Sequence, residues 1–160
     1  MIDVRLTDEM NPSNIGKVAD VLTAERLFIP TQEDYGSKHQ EWVEETPTDA
    51  RRALLATDLG TAAGVIVWRT EEGSPGNINI RNISVPPIAR GRNFGSFLLR
   101  TAEYAMREEG ACIVHVDTKT TNKDMIVFLE SQGYKVIRVD DLYDSGKPDI
   151  VLGKQLASVV

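Results

Sequence analysis

Residues 84–100, SVPPIARGRNFGSFLLR, set two arginines and two glycines around an asparagine, directly before an amphipathic segment. Gly91 and Gly95 relax the backbone, and Arg90 and Arg92 supply positive charge. The helix that follows opens with N–H groups that have no partner within it. Together these features suit an anion, a phosphate above all. The loop is not a Walker motif, because Gly95 is followed by Ser96-Phe97 and not by Lys-Ser/Thr. Nor can the G-x-G-x-x-G dinucleotide fingerprint be placed on it.

Groups able to move protons are few. Tyr35 and His39 fall at helical spacing with Trp42, where a half-buried aromatic helix face is the plainer explanation. His115 stands two residues from Asp117, so both share one face of a strand. Tyr143 lies by a late hairpin loop and is a further candidate; Tyr134 reads as a core residue. Glu33, Asp34, Glu41, Glu44, Glu45 and Asp49 crowd one segment with only Lys38 opposing them. Such a run is a solvated face, or an acidic rim that draws in a cationic amine. Asp140, Asp141, Asp144 and Asp149 lack the spacing and closing Glu of a calcium loop, so a hairpin turn accounts for them and no metal is expected.

The bulk numbers narrow the class. A chain of 160 residues with 41% hydrophobic and 26% charged content suits a single domain over 1–160. The net charge of −6 argues against a nucleic-acid partner. The charge is uneven: residues 1–80 carry 7 basic and 14 acidic side chains, residues 81–160 carry 11 and 10. Residues 81–100 hold four arginines and no acid, a local basic patch on an acidic protein. The absence of a membrane-length apolar run and the acidic start MIDVRLTDEM predict no membrane partner and a cytoplasmic location. Cys112, the sole cysteine, sits among apolar neighbours in ACIVHV and reads as a buried strand thiol.

The elements that must position these groups follow from pattern. IDVRL is a first strand; Asn11 and Pro12 then cap and open a helix with Ile15, Val18 and Leu22 on one face. A second helix is expected over residues 31–45. RRALLATD and AAGVIVWR are strands joined by the turn-prone LGT, and INIRNISV is the next strand. Its apolar alternation slips between Ile80 and Ile83, which predicts a β-bulge near Arg81–Asn82 and a splayed strand. The helix after the loop should bury Phe94, Phe97, Leu98, Thr101, Ala102 and Ala105, and end at Gly110. CIVHVD is a strand, Asn122 to Gly133 a helix, and YKVIRV and DIVLGKQL pair as a hairpin. The order β-α-α-β-β-β-α-β-α-β-β gives an α/β domain, α+β in the broad sense. Its sheet is mixed, mainly antiparallel and twisted, with six to seven strands, a bulge in the central strand and about four helices on both faces.

Strand, slip, Val-Pro, Arg-Gly-x-x-x-Gly-Ser and helix together resemble the GNAT superfamily of N-acetyltransferases. The family's loop, Arg/Gln-x-x-Gly-x-Gly/Ala, falls on Arg90-Gly91-Arg92-Asn93-Phe94-Gly95, with Asn93 at the middle glycine. Asn tolerates left-handed backbone better than other non-glycine residues. A second family pattern falls on Asn122, Phe128-Leu129-Glu130 and Gly133-Tyr134.

The resemblance implies acetyl-coenzyme A as co-substrate. Arg90, Gly91, Arg92, Asn93, Phe94, Gly95 and Ser96 would hold its pyrophosphate. Ile83, Ser84 and Val85 would pair with its pantetheine arm, with Asn122 and Phe128 contributing from the next helix. A free N–H of that strand would meet the thioester oxygen. The positions where the family places a base correspond to Asn79 and Arg81, and the usual acid tyrosine to Leu129; none can do that work at neutral pH. Tyr35, His39 and Tyr143 are the substitutes considered, with the catalytic residues otherwise unassigned. The expected function is therefore acetyl transfer from acetyl-coenzyme A to a primary amine by direct attack. The acceptor would be a small amine, a protein lysine or an N-terminal amine. The alternative is a non-catalytic acyl-coenzyme A or coenzyme A-binding or sensing module that kept the phosphate loop. Exposed strand edges allow a homodimer.

Overall fold

A computed structural model of the chain describes residues 2–6, 9–24, 40, 52–71, 73–85, 93–142 and 146–156. Seven strands and three helices lie within them. In chain order they are β1 (Ile2–Leu6), α1 (Pro12–Ala24), β2 (Arg52–Asp58), β3 (Thr61–Glu71) and β4 (Ser74–Ser84). Then come α2 (Phe94–Glu108), β5 (Ile113–Lys119), α3 (Lys123–Ser131), β6 (Lys135–Asp140) and β7 (Asp149–Gln155). The strand order is β1-β2-β3-β4-β5-β7-β6, antiparallel at β1/β2, β2/β3, β5/β7 and β6/β7 and parallel at β4/β5. This is the mixed, mainly antiparallel sheet expected from the order of the elements. The helix expected over residues 31–45 falls outside the described residues, apart from Gln40. Among the described residues, no helix is long and apolar enough to cross a membrane.

The chain divides into two compact units, each built from two stretches: Met1–Arg69 with Asn82–Ala102, and Thr70–Arg81 with Glu103–Val160. In the first, α1 opens as its sequence dictates. The Asn14 N–H donates to Asn11 Oδ1 at 2.9 Å, and the Asn11 N–H donates back to Asn14 Oδ1 at 3.1 Å, a reciprocal cap ahead of Pro12. The helix then lays Val18, Ala19 and Val21 on Ala53, Leu55, Val65 and Val67, the odd-numbered face of β2 and β3. The LGT turn is a two-residue hairpin with Leu59 at φ 50° and Gly60 at φ 82°, the positive pair that a tight turn of this hand needs. On the other face of β3, Gly64 leaves room for α2. A Cβ there would lie 2.7 Å from Leu98 Cδ2 and 3.0 Å from Phe94 Cε1.

In the second unit, Ile78 and Ile80 stand beside Val114 and Val116, all buried. Helix α3 ends at Gly133, which takes φ 93°, and the Tyr134 N–H turns back to the Leu129 carbonyl at 3.0 Å. Strand β6 shifts register between Val136 and Arg138, so Ile137 has no opposite number on β7 and bulges over Gly153.

Two expectations need correction. The buried face of α2 is Phe94, Leu98, Leu99, Ala102, Glu103, Ala105 and Met106. Phe97 is 43% exposed and Thr101 half-buried, because Leu99 and Met106 turn the apolar stripe by one position. Phe97 keeps contact with its neighbour Phe94 through tilted rings 5.9 Å apart. Cys112 is exposed and not a buried strand thiol. Strand β5 begins one residue later, and the residue beside the thiol is Gly76, which has no side chain to cover it.

Candidate functional site

The arginine-glycine segment leads into α2 through Asn93. This residue takes φ 54°, one of two non-glycine residues with positive φ among those described. Its carbonyl accepts from the Phe97 N–H at 3.3 Å, so it is the last residue before the helix proper. The strained hand is what the family pattern's glycine would supply, and Asn is the side chain that bears it best. The first turn of α2 carries no acid, which leaves its N-terminal partial positive charge uncancelled from within. Arg90, Gly91 and Arg92 lie outside the described residues, as do Tyr35, His39, Trp42 and Tyr143. Asn93→Gly is expected to hold or slightly raise stability, whereas Asn93→Val should cost about 1–2 kcal/mol. Urea denaturation of the two variants checks this.

Strand β4 brings Ile83, Ser84 and Val85 to the start of that loop. The parallel ladder with β5 runs without a shift from Asn77↔Ile113 to Ile80↔Val116. Beyond it β5 goes on against β7 as far as Lys119↔Asp149. The boundary of the two compact units crosses β4 between Arg81 and Asn82, where the apolar alternation slips. Burial on β4 keeps its phase through the slip: Ile78, Ile80 and Ser84 are buried, while Ile83 and Val85 are half-buried. Among the described pairings, register shifts fall at Ala56/Thr57 and Val136/Arg138.

Asn122 sits at the head of α3, yet its side chain makes no capping bond to the helix. Its Nδ2 donates instead to Thr118 Oγ1 at 3.2 Å, back on β5. Phe128 is half-buried, and Leu129, at the family's tyrosine position, is wholly buried. Leu129 is thus a core residue, and the missing phenol is replaced by packing.

Two polar clusters were only partly legible. His115 is half-buried on β5, with Nδ1 3.6 Å from Glu71 Oε1 at the end of β3. Glu103 is 3% exposed on α2. The Tyr134 hydroxyl donates to its Oε2 at 2.8 Å, and Lys154 Nζ reaches its Oε1 at 3.1 Å. Burial, with the Glu103 carboxylate beside it, pushes the Tyr134 phenol far above its ordinary value. Tyr134 is therefore a locked structural residue. The hairpin aspartates are also engaged: Asp141 Oδ2 accepts from the Gly146 N–H at 2.8 Å, and Asp149 Oδ1 pairs with Lys119 at 3.0 Å. Among the described residues, no three His, Cys, Asp or Glu side chains form a metal-holding group.

The profile of the acetyltransferase (GNAT) family matches residues 18–134. The chain belongs to the acetyltransferase (GNAT) family. It is 31% identical over 118 residues to a tRNA(Met) cytidine acetyltransferase of Aeropyrum pernix. That match takes in 72% of this chain and 15% of the relative, so the chain spans a small part of that protein's length. Among solved structures, a GNAT-family protein of Desulfovibrio desulfuricans superposes with a TM-score of 0.81 at 19% identity, covering 98% of this chain and 100% of that one. An aminoglycoside 6′-N-acetyltransferase complexed with coenzyme A gives 0.77 at 21% identity, covering 100% and 99%. Both likenesses are of fold.

Proposed function

We propose that the chain transfers an acetyl group from acetyl-coenzyme A to a primary amine by direct attack. The observation that carries this reading is Asn93, turned left-handed at the head of a helix whose first turn has no acid, directly after the arginine-glycine loop. These residues fit a pyrophosphate: the first turn of α2 opens with backbone N–H groups that have no partner within the helix, and Arg90 and Arg92 would add charge-assisted donors. The coenzyme A held by the aminoglycoside acetyltransferase of like fold supports the choice of co-substrate. Bound, acetyl-coenzyme A supplies the acetyl group as a thioester.

In this reading Arg90 to Ser96 grip the pyrophosphate. The backbone of Ile83, Ser84 and Val85 runs along the pantetheine arm, and Asn122 and Phe128 complete that binding. A β4 N–H steadies the oxyanion that forms at the thioester carbon. Holding acceptor and thioester in contact removes a bimolecular entropy cost and supplies much of the rate. The acceptor is a small amine, a protein lysine or an N-terminal amine, drawn by the acidic segment between Glu33 and Asp49.

The binding half is tested by titrating acetyl-coenzyme A into the wild-type chain and into Arg90→Ala/Arg92→Ala. Each lost charge-assisted contact is worth about 1.5–3 kcal/mol, so affinity should fall by at least about tenfold. Unchanged affinity in the double variant would refute the phosphate assignment.

A further inference from the structure

We propose that His115, oriented by Glu71, is the proton acceptor of the transfer; this rests on the acetyl-transfer reading above. A primary amine at neutral pH is an ammonium ion and must shed a proton before its lone pair can attack. The family-derived positions for that proton, Asn79 and Arg81, hold an amide and a guanidinium.

The register supplies what those positions lack. Asn79 is paired with His115 in the parallel ladder. Paired residues on adjacent strands project from the same face, with the strands about 4.8 Å apart. An imidazole thus stands one strand over from the place where the base is missing. Glu71 Oε1, 3.6 Å from Nδ1, favours the tautomer with its proton on that nitrogen and leaves the Nε2 lone pair to accept another.

The ring also lies close to Gly153. Gly153 faces His115 across the β5/β7 ladder, and a Cβ there would lie 3.1 Å from His115 Cδ2 and collide with Ile137 Cδ1. Glycine is what lets the bulged Ile137 lie over β7 next to the ring. The His115 side chain keeps 24% of its surface exposed, enough for proton exchange with solvent. Charged residues at the neighbouring register positions are Glu71 at the end of β3, Arg81 two places beyond Asn79 on β4, and Asp117 on β5 itself. Strand β7 presents Gly153 and Val151, and β6 sets Lys135 and Arg138 opposite these two, with the bulged Ile137 between them.

The step balances. The ammonium gives one proton to His115 Nε2, and the amine nitrogen forms a bond to the thioester carbon. The C–S bond then breaks, and the second N–H proton passes to the departing thiolate sulfur. His115 returns its proton to solvent, leaving amide, thiol and one released proton.

The test compares wild type, His115→Gln and Glu71→Gln on the full chain, with acetyl-coenzyme A and a panel of polyamines, aminoglycosides, amino acids and lysine peptides. His115→Gln is expected to bind acetyl-coenzyme A as wild type does and to lose about 100-fold in kcat/KM near neutral pH. The deficit should shrink as pH rises, because more of the amine is then already neutral, a recovery that a structural defect would not show. Glu71→Gln should give a smaller loss with the same recovery, and should move the His115 ring resonance in the proton NMR spectrum without any ligand. A His115→Gln rate within threefold of wild type overturns the assignment and leaves acetyl transfer standing, as does a loss equal at every pH. No turnover by wild type with any amine refutes the acetyl-transfer reading, and the role of His115 falls with it.

Discussion

Glu103→Ala is expected to destabilise the protein by about 3 kcal/mol, lowering Tm by about 6–12 °C for a chain of this length. Glu103 is buried on α2 and serves two donors, the Tyr134 hydroxyl at 2.8 Å and Lys154 Nζ at 3.1 Å. Removing the carboxylate leaves the buried Tyr134 hydroxyl without its acceptor and takes one of two acceptors from Lys154. The cost sits at the lower end of the range for a broken buried pair, because Lys154 keeps the Gln132 carbonyl at 2.9 Å and some water. It also keeps its place near the Tyr134 ring, 5.5 Å from the centroid. Glu103→Gln, which still accepts from Tyr134, should lose about 1 kcal/mol.

The same network sets an alkaline limit on stability. The Tyr134 phenol is raised in the folded state, so above about pH 10 the unfolded chain releases a proton that the folded chain retains. Stability is then full below that pH and falls above it, by up to about 1.4 kcal/mol per pH unit from this one group. Tyr134→Phe should remove that part of the slope. Chemical denaturation between about pH 8 and 11, across the phenol titration, checks both the sign and its disappearance.

Gly64→Val should damage stability and coenzyme binding together. Even a bare Cβ at residue 64 would lie 2.7 Å from Leu98 Cδ2 and 3.0 Å from Phe94 Cε1, and valine adds two methyls. Overpacking of this kind costs about 1–3 kcal/mol. The side chains that must yield belong to the first turns of α2, next to Asn93. If α2 is the pyrophosphate-binding helix, acetyl-coenzyme A affinity should fall about tenfold or more at temperatures where the variant is still folded. Gly16→Ala, inside α1 where a Cβ meets nothing within 4 Å, is the control: it should leave coenzyme affinity unchanged and raise stability by about 0.5–1 kcal/mol.

The contrast between what the sequence revealed and what it hid has a physical origin. The strands were legible because short apolar runs (β2 and β3) and alternation (β4) are local patterns, and the α1 cap because Asn11, Pro12 and Asn14 lie within one turn. Asn93 was legible for a subtler reason: a glycine position filled by asparagine signals left-handed backbone, and the residue takes φ 54°. The buried face of α2 was misread by one position, since Phe97 and Leu99 are equally apolar and only packing chooses between them. Gly64 carried no local signal, because its role depends on a helix that arrives some thirty residues later. The Glu103 network joins residues 31 and 51 positions apart, so no spacing rule could find it. His115 stands out in the sequence through Asp117 two residues on, whereas Glu71 is brought near only by folding.

The most direct test of the central claim is acetyl-coenzyme A-dependent thiol release by the purified chain, measured with and without each amine of the panel. The expected result is release above the amine-free rate for at least one primary amine, with the acetylated amine recovered in equal amount. Tight binding of acetyl-coenzyme A with no release from any amine would contradict it, and would leave a coenzyme-binding module in place of an acetyltransferase.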